Sequence, residues 1–243
     1  MTDTVALGEL APTGKLRGAV VVAPAASVFF AVDNAGKPKG VTVDLLGALS
    51  EELKLPLELV LFPNSGEVTE AVAQGRCDVG FMPRDAERAK KVDFGPAYYI
   101  IESTFLVPAR SKVRSLAEAN FPGAHAVVIA STTTGRAAAR FLTQGTTQEV
   151  TSVEEMVEMA KAGSADLFAL SRDAFATLLP ELPGARVLDG GFQQTGIGCA
   201  VPKGRARALE ILSGFVERAK ANGLVRKSLD MHGFKDADVA PAA

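Results

Sequence analysis

Two five-residue runs constrain this chain more than any other feature. Residues 19–23 read AVVVA and residues 126–130 read AVVIA. Short apolar runs rich in β-branched residues, without polar alternation, are strands buried on both faces, as in parallel sheets. Parallel strands need a crossover connection, usually a helix. Each run therefore opens a series in which strand and helix alternate.

The first series follows that rule. Leu46, Leu49 and Leu53 recur at helical spacing, residues 57–62 read as a strand, and residues 67–74 as a helix stopped by Gly75. Residues 77–82 are a further buried strand. Asp85 is the N-cap of a short basic helix over 86–91, and Gly95-Pro96 is a breaker pair ahead of Tyr98-Tyr99. Residues 111–120 read as a linker helix. In the second series a polar turn, STTTG at 131–135, precedes a helix over 136–143. Ser152 and Glu155 form a capping box for a helix running to Ala162, and residues 166–170 are a strand followed by a helix over 171–179. Residues 186–188 form a last short strand. Leu209, Leu212, Val216 and Ala219 share one face of a helix over 205–222. The tail, DADVAPAA, reads as disordered. The N-terminal 18 residues lack the basic and apolar regions of an export signal, so the expectation is a chain kept inside the cell or one whose signal has been removed.

A length of 243 residues, 47% of them hydrophobic and 22% charged, supplies one large core or two modest ones. A net charge of −2 gives no basic surplus for nucleic acid or an anionic membrane. No stretch approaches the roughly 20 apolar residues of a membrane span. Cys77 and Cys199 fall in expected strands and read as buried thiols. His125 and His232 are far apart, so neither a metal site nor a cofactor is expected.

The stretch 75–99, GRCDVGFMPRDAERAKKVDFGPAYY, carries a resemblance. Its G-x-x-D-V-x-F, D-x-E-R-A-x-x-V-D-F and P-x-Y pattern resembles the bacterial extracellular solute-binding proteins of family 3, the amino-acid-binding type. LRGAVVVAPAA, GVTVDLLGAL, ASTTTGRAA, GSADLFAL and GIGCAVPKG are similar to further family blocks in the same order, from about residue 15 to 234. The resemblance implies an α/β, type II periplasmic binding protein-like fold. It has two lobes, each a mostly parallel sheet flanked by helices, joined by two hinge crossings. Residues 1–106 and 199–243 would form lobe 1 and residues 107–198 lobe 2. The crossings would lie near 103–107 and 196–201. It also implies capture of a small solute by hinge closure, delivery to an ABC transporter permease, a periplasmic location and a monomer.

In such folds ligands lie beyond the carboxyl ends of the strands. The loops at 24–27, 63–65, 82–85, 130–133 and 170–171 therefore face one cleft, and Ser27, Asn64 and Met82 are candidate contacts. The resemblance assigns the ligand carboxylate to Arg88, whose guanidinium fork suits bidentate pairing. It assigns Thr132 and Thr133 to the same carboxylate, at a helix N-terminus. Ser171 stands where amino-acid binders usually carry an aspartate for the ligand ammonium. Arg84 adds a positive charge where they offer hydroxyls. Phe29 and Phe30 are either core or ligand-stacking residues. The expected ligand is thus a small carboxylate, with an α-amino acid as the second choice. Two alternatives stand beside it. One is a cyclohexadienyl dehydratase-like enzyme, for which Glu102 is the one carboxylate near the cleft. The other is an orphan cytosolic ligand sensor.

Overall fold

A computed structural model of the chain describes residues 4–243. It is a mixed α/β structure whose eleven strands belong to one continuous sheet. The strands are β1 Leu16–Val22, β2 Phe30–Asp33, β3 Pro38–Lys39, β4 Leu57–Phe62, β5 Val79–Pro83, β6 Val92–Val107, β7 His125–Ile129, β8 Thr146–Val150, β9 Leu167–Ser171, β10 Arg186–Val187 and β11 Gln193–Pro202. Both opening runs lie in parallel arrays. β1 pairs in parallel with β2, β4 and β5, and β7 with β8 and β9.

Two long strands join the arrays. β11 pairs antiparallel with β5 and with β6, and β6 continues antiparallel onto β9. The path is β3-β2-β1-β5-β11-β6-β9-β7-β8. Gly95-Pro96, expected to break the chain, lies inside the 16-residue β6. Register shifts in the β11 pairing at Ile197, Gly198 and Ala200 absorb the irregularity. Gly95 is required there, because a Cβ would come within 2.6 Å of Cys199 Sγ and Ser213 Oγ.

The helices are α1 Thr4–Leu10, α2 Val41–Leu53, α3 Ser65–Ala73, α4 Ala86–Ala89, α5 Leu116–Ala119, α6 Thr133–Phe141, α7 Val153–Ala162, α8 Arg172–Leu178, α9 Ala206–Ala221 and α10 Leu224–Met231. Caps set their starts. Asn64 accepts from the Glu67 amide and Thr132 from the Gly135 amide. Ser152 caps α7 as expected, but the Glu155 carboxylate reaches back to Thr151 N–H (2.8 Å) instead of the cap residue's own amide. The linker helix contracts to the single turn of α5.

The tail departs from expectation, and the segment before β1 is helical. The lead-in forms α1, and its Leu10 is buried in the core against α9. The tail docks on β6: Val239 bridges Tyr99, and Ala240 N–H donates to Tyr98 O at 2.9 Å. Phe234, Ala237 and Val239 pack on the core, so the tail carries more apolar anchorage than its small polar composition suggests.

Asp78 has no exposed side-chain surface. It accepts from Arg17 N–H (3.0 Å), Nε (3.0 Å) and Nη2 (2.6 Å), and Arg205 Nη1 lies 3.4 Å away. One buried carboxylate thereby ties β1 to the start of α9. Asp78→Ala is expected to lower stability by about 3 kcal/mol, the low end for a broken buried pair because Arg17 keeps some water contact. Urea titration checks this as a lower midpoint at unchanged slope.

Candidate functional site

Three helix N-termini converge where the two parallel arrays face each other. α3 and α6 contribute nine residues each and α7 ten. The approach is tight: a Cβ on Gly66, in the first turn of α3, would fall 2.6 Å from Ser131 Cβ. Ser131 is one of three non-glycine residues among those described with a positive φ, at 58°. That left-handed turn precedes the Thr132 cap and leaves the Ser131 carbonyl within reach of the opposite array.

Arg88 occupies the junction. It is 3% exposed. Nη1 donates to Pro83 O (2.9 Å), and Nη2 to Ser65 Oγ (2.8 Å) and Ser131 O (3.3 Å). Its Nε has no partner. All three acceptors are neutral, so this buried cation has no anion hydrogen-bonded to its guanidinium. Burial pushes its pKa down to about 9, and the nearby Arg136 adds to the shift while Asp85 opposes it.

Asp85 holds two elements at once. One oxygen caps α4 through the Arg88 amide (2.8 Å), and the other pairs with Arg136 of α6 through Nε (2.9 Å) and Nη2. Burial pushes the Asp85 carboxyl up, but the Arg88 amide and the Arg136 guanidinium outweigh it and hold the pKa below the usual 3.8. Three further contacts cross between the arrays. Asn64 Nδ2 donates to Thr151 O (2.9 Å), Val28 N–H to Asp173 Oδ2 (2.8 Å), and Thr177 Oγ1 to Ala26 O (2.8 Å).

These contacts enclose a cavity of about 20 Å³, the room of a single water. Asn64, Ser65, Thr132, Thr133, Thr134 and Ser171 line its polar side. Phe29, Phe30, Ile101, Ile129, Val153 and Leu170 line the rest. Of the sequence candidates, Asn64, Thr132, Thr133 and Ser171 therefore meet there, with Arg88 behind Ser65. Ser27 lies one layer back, its Oγ accepting from the Phe29 (3.2 Å) and Phe30 (2.9 Å) amides, which turns both rings into the lining. Met82 is packed in the core, its sulfur accepting from Thr69 Oγ1 at 3.1 Å. Arg84 lies over the Phe94 ring in a separate outer groove with Asp93 and Lys203, its stem packed on Gly198. Glu102 pairs with Arg172 Nε (2.7 Å), which holds its pKa below the usual 4.5, and is not free to act as an acid.

Sequence reasoning missed Ser65, Ser131 and Arg136. Ser131 and Ser65 read only as loop residues. Arg136 did carry a signal, because a cation near a helix N-terminus opposes the macrodipole and calls for an anionic partner.

Residues 19–233 match the sequence profile of the bacterial extracellular solute-binding proteins, family 3. No curated protein sequence matches the chain. Solved structures do. An ancestral amino-acid-binding protein described as a precursor of cyclohexadienyl dehydratase is 25% identical, covering 93% of this chain and 98% of its own, with a TM-score of 0.80. An amino acid ABC transporter substrate-binding protein from Streptococcus pneumoniae, bound to L-arginine, is 19% identical over 92% of this chain and 96% of its own, with a TM-score of 0.80. An ancestral arginine-binding protein bound to glutamine is 22% identical over 91% and 98%, also with a TM-score of 0.80. The paired parallel arrays, the antiparallel strands between them and the cleft lined by helix N-termini are thus a type II periplasmic binding protein fold, and the chain belongs to the bacterial extracellular solute-binding proteins, family 3.

Proposed function

We propose that this protein captures a small carboxylate-bearing solute between its two halves and hands it to an ABC-type permease in the periplasm, as a monomer. The observation that carries this reading is Arg88, a fully buried guanidinium with only neutral acceptors, set among three helix N-termini. A carboxylate arriving there gains charge-assisted hydrogen bonds and relieves an uncompensated buried charge. The cavity is too small for such a ligand unless the halves part. We take them to be residues 1–106 with 199–243 against 107–198, moving about the β6 and β11 crossings. The ligand would stabilise a closed state wider than this one, through contacts made to both halves. The engagement of Glu102 with Arg172 favours binding over dehydratase chemistry, which needs a free general acid in the cleft.

Thermal unfolding of protein refolded to remove retained ligand, against a panel of amino acids and organic acids, tests the reading. A bound carboxylate at 100 times its dissociation constant adds about 2.7 kcal/mol of stability, and Arg88→Met abolishes the response. A panel without any stabilising carboxylate overturns it.

The Asp85–Arg136 pair supplies a second test. Arg136→Met keeps the α4 cap but removes the tie between halves. It should enlarge the radius of gyration of the ligand-free protein in X-ray scattering and weaken ligand about tenfold, roughly 1.4 kcal/mol. Because the Asp85 pKa is depressed when folded, the pair contributes stability above 3.8 that is lost as pH falls below it. Acidification through that range should loosen wild type and leave Arg136→Met less affected. An unchanged radius in both experiments would show that the pair does not hold the halves together.

A further inference from the structure

Resting on the carboxylate reading above, we infer that the cleft selects an apolar-bodied monocarboxylate with no ammonium group, and that 2-oxo acids fit it best. The argument begins with charge. Around the cavity Arg88 and Arg136 are positive and Asp85 is negative, and Asp85 is already paired with Arg136. Glu102 likewise pairs with Arg172 and Asp173 is bonded to the Val28 amide, so the Arg88 guanidinium is left with no anion hydrogen-bonded to it, and the three helix N-termini add to its field. The cleft therefore matches a single negative charge.

An α-amino acid brings a carboxylate and an ammonium. The second charge has no counterpart here. Among the described residues no carboxylate lines the cavity. The acids on the surrounding elements are committed elsewhere, Glu67 among them, which accepts from Asn64 Nδ2 at 3.3 Å. Asp85 caps α4 and binds Arg136. Glu102 is paired with Arg172 and bonded by Gln194 Nε2 (3.3 Å). Asp173 accepts from the Val28 amide at 2.8 Å and is enclosed enough that burial pushes its pKa above the usual 3.8; the Val28 amide and the neighbouring Ser171 hydroxyl counter this only in part. The Val28 carbonyl, which an ammonium might otherwise use, already accepts from Tyr98 Oη at 2.6 Å. An ammonium buried here without an anion would lose its hydration with no charge to replace it.

What the cavity does hold in reserve is hydroxyl. Thr133 Oγ1 and Ser171 Oγ are buried, at 1% and 2% residue exposure; the first has no hydrogen-bond partner and the second has only the neighbouring Asp173 carboxylate to lean on. They sit on opposite elements, the first turn of α6 and the end of β9, and both line the cavity. A hydroxyl can donate to a ketone oxygen or to a second carboxylate oxygen. The remaining wall of Phe29, Phe30, Ile101, Ile129, Val153 and Leu170 receives a branched aliphatic or aromatic body. A carboxylate at Arg88, an adjacent oxygen at Thr133 and an apolar tail against the phenylalanines would partner the unpaired Arg88 Nε and Thr133 Oγ1.

Titration calorimetry on the refolded protein separates the possibilities with shape-matched probes. 4-Methyl-2-oxopentanoate and 3-phenyl-2-oxopropanoate stand against leucine and phenylalanine, each also with Arg88→Met and Asp173→Asn. The expected result is that at least one oxo acid binds 100-fold or more tightly than its amino acid, that Arg88→Met removes binding, and that Asp173→Asn leaves the preference unchanged. Equal or tighter binding of an amino acid that is lost in Arg88→Met overturns the inference while the carboxylate reading stands. A further loss in Asp173→Asn would then identify Asp173 as the ammonium partner. Binding of either class that survives Arg88→Met overturns both; no binding of any of the four probes overturns the inference, and the wider panel of carboxylates then decides the reading beneath it.

Discussion

The antiparallel pairing of β6 with β11 is the constraint on which the rest of the molecule depends. It runs from Val92 opposite Pro202 to Ser103 opposite Gln193. One parallel array hangs from it through β5 and the other through β9. Two adjacent strands are stiff along their length and compliant to twist about it. The sheet passes from one array to the other through these two strands alone. β6 and β11 also bring the carboxyl ends of β1, β4 and β5 to face those of β7 and β9. The helices that follow these strands then meet with their N-termini together. The site is a product of that topology before any particular side chain is considered.

Within it the chemistry centres on a charge that the folded protein leaves incompletely answered. Arg88 could have been neutralised by Asp85, three residues earlier, but that carboxylate is divided between a helix cap and Arg136 on the other side. The guanidinium is left to two carbonyls and a serine hydroxyl. A buried cation held by neutral acceptors costs folding free energy. Such a cost persists only when the surrounding structure enforces it, and here a left-handed Ser131, a tight Gly66 contact and the Asn64 cap all hold the elements around it.

Much of this was legible in the sequence. The two apolar β-branched runs announce parallel arrays, and Asp85 and Ser152 announce helix starts that the structure keeps, while α3 and α6 begin two and three residues earlier than read, at Ser65 and Thr133. Arg88, Thr133 and Ser171 are named by position in the pattern, and the cleft brings them together or into immediate neighbourhood. What could not be read is what depends on pairing distant in sequence. Gly95-Pro96 signals a break in isolation, yet two bulges opposite it let β6 run through. Asp78 reads as one polar residue in a strand, and only the fold reveals that Arg17 and Arg205 meet on it. Arg84 and Met82 occupy the right loop, but Met82 lies inside β5 and Arg84 beyond its end, so the strand's alternation does not relate them. One is turned to an outer groove and the other to the core. Side-chain direction at a strand end is a property of register, which the local sequence does not encode.

The docking of the tail links these parts in a way that matters for handling the protein. Ala240 N–H is held by the Tyr98 carbonyl, while the Tyr98 hydroxyl holds Val28, whose amide is held by Asp173 on the facing array. Three residues after Ala240 the chain as given ends, on the flank of β6, within reach of the crossing strands and outside the cavity lining. A fluorophore placed at Ala240 would sit on the flank of β6, beside the crossing strands. It would report on the docking of the tail without entering the cavity, whose lining includes no residue of the tail.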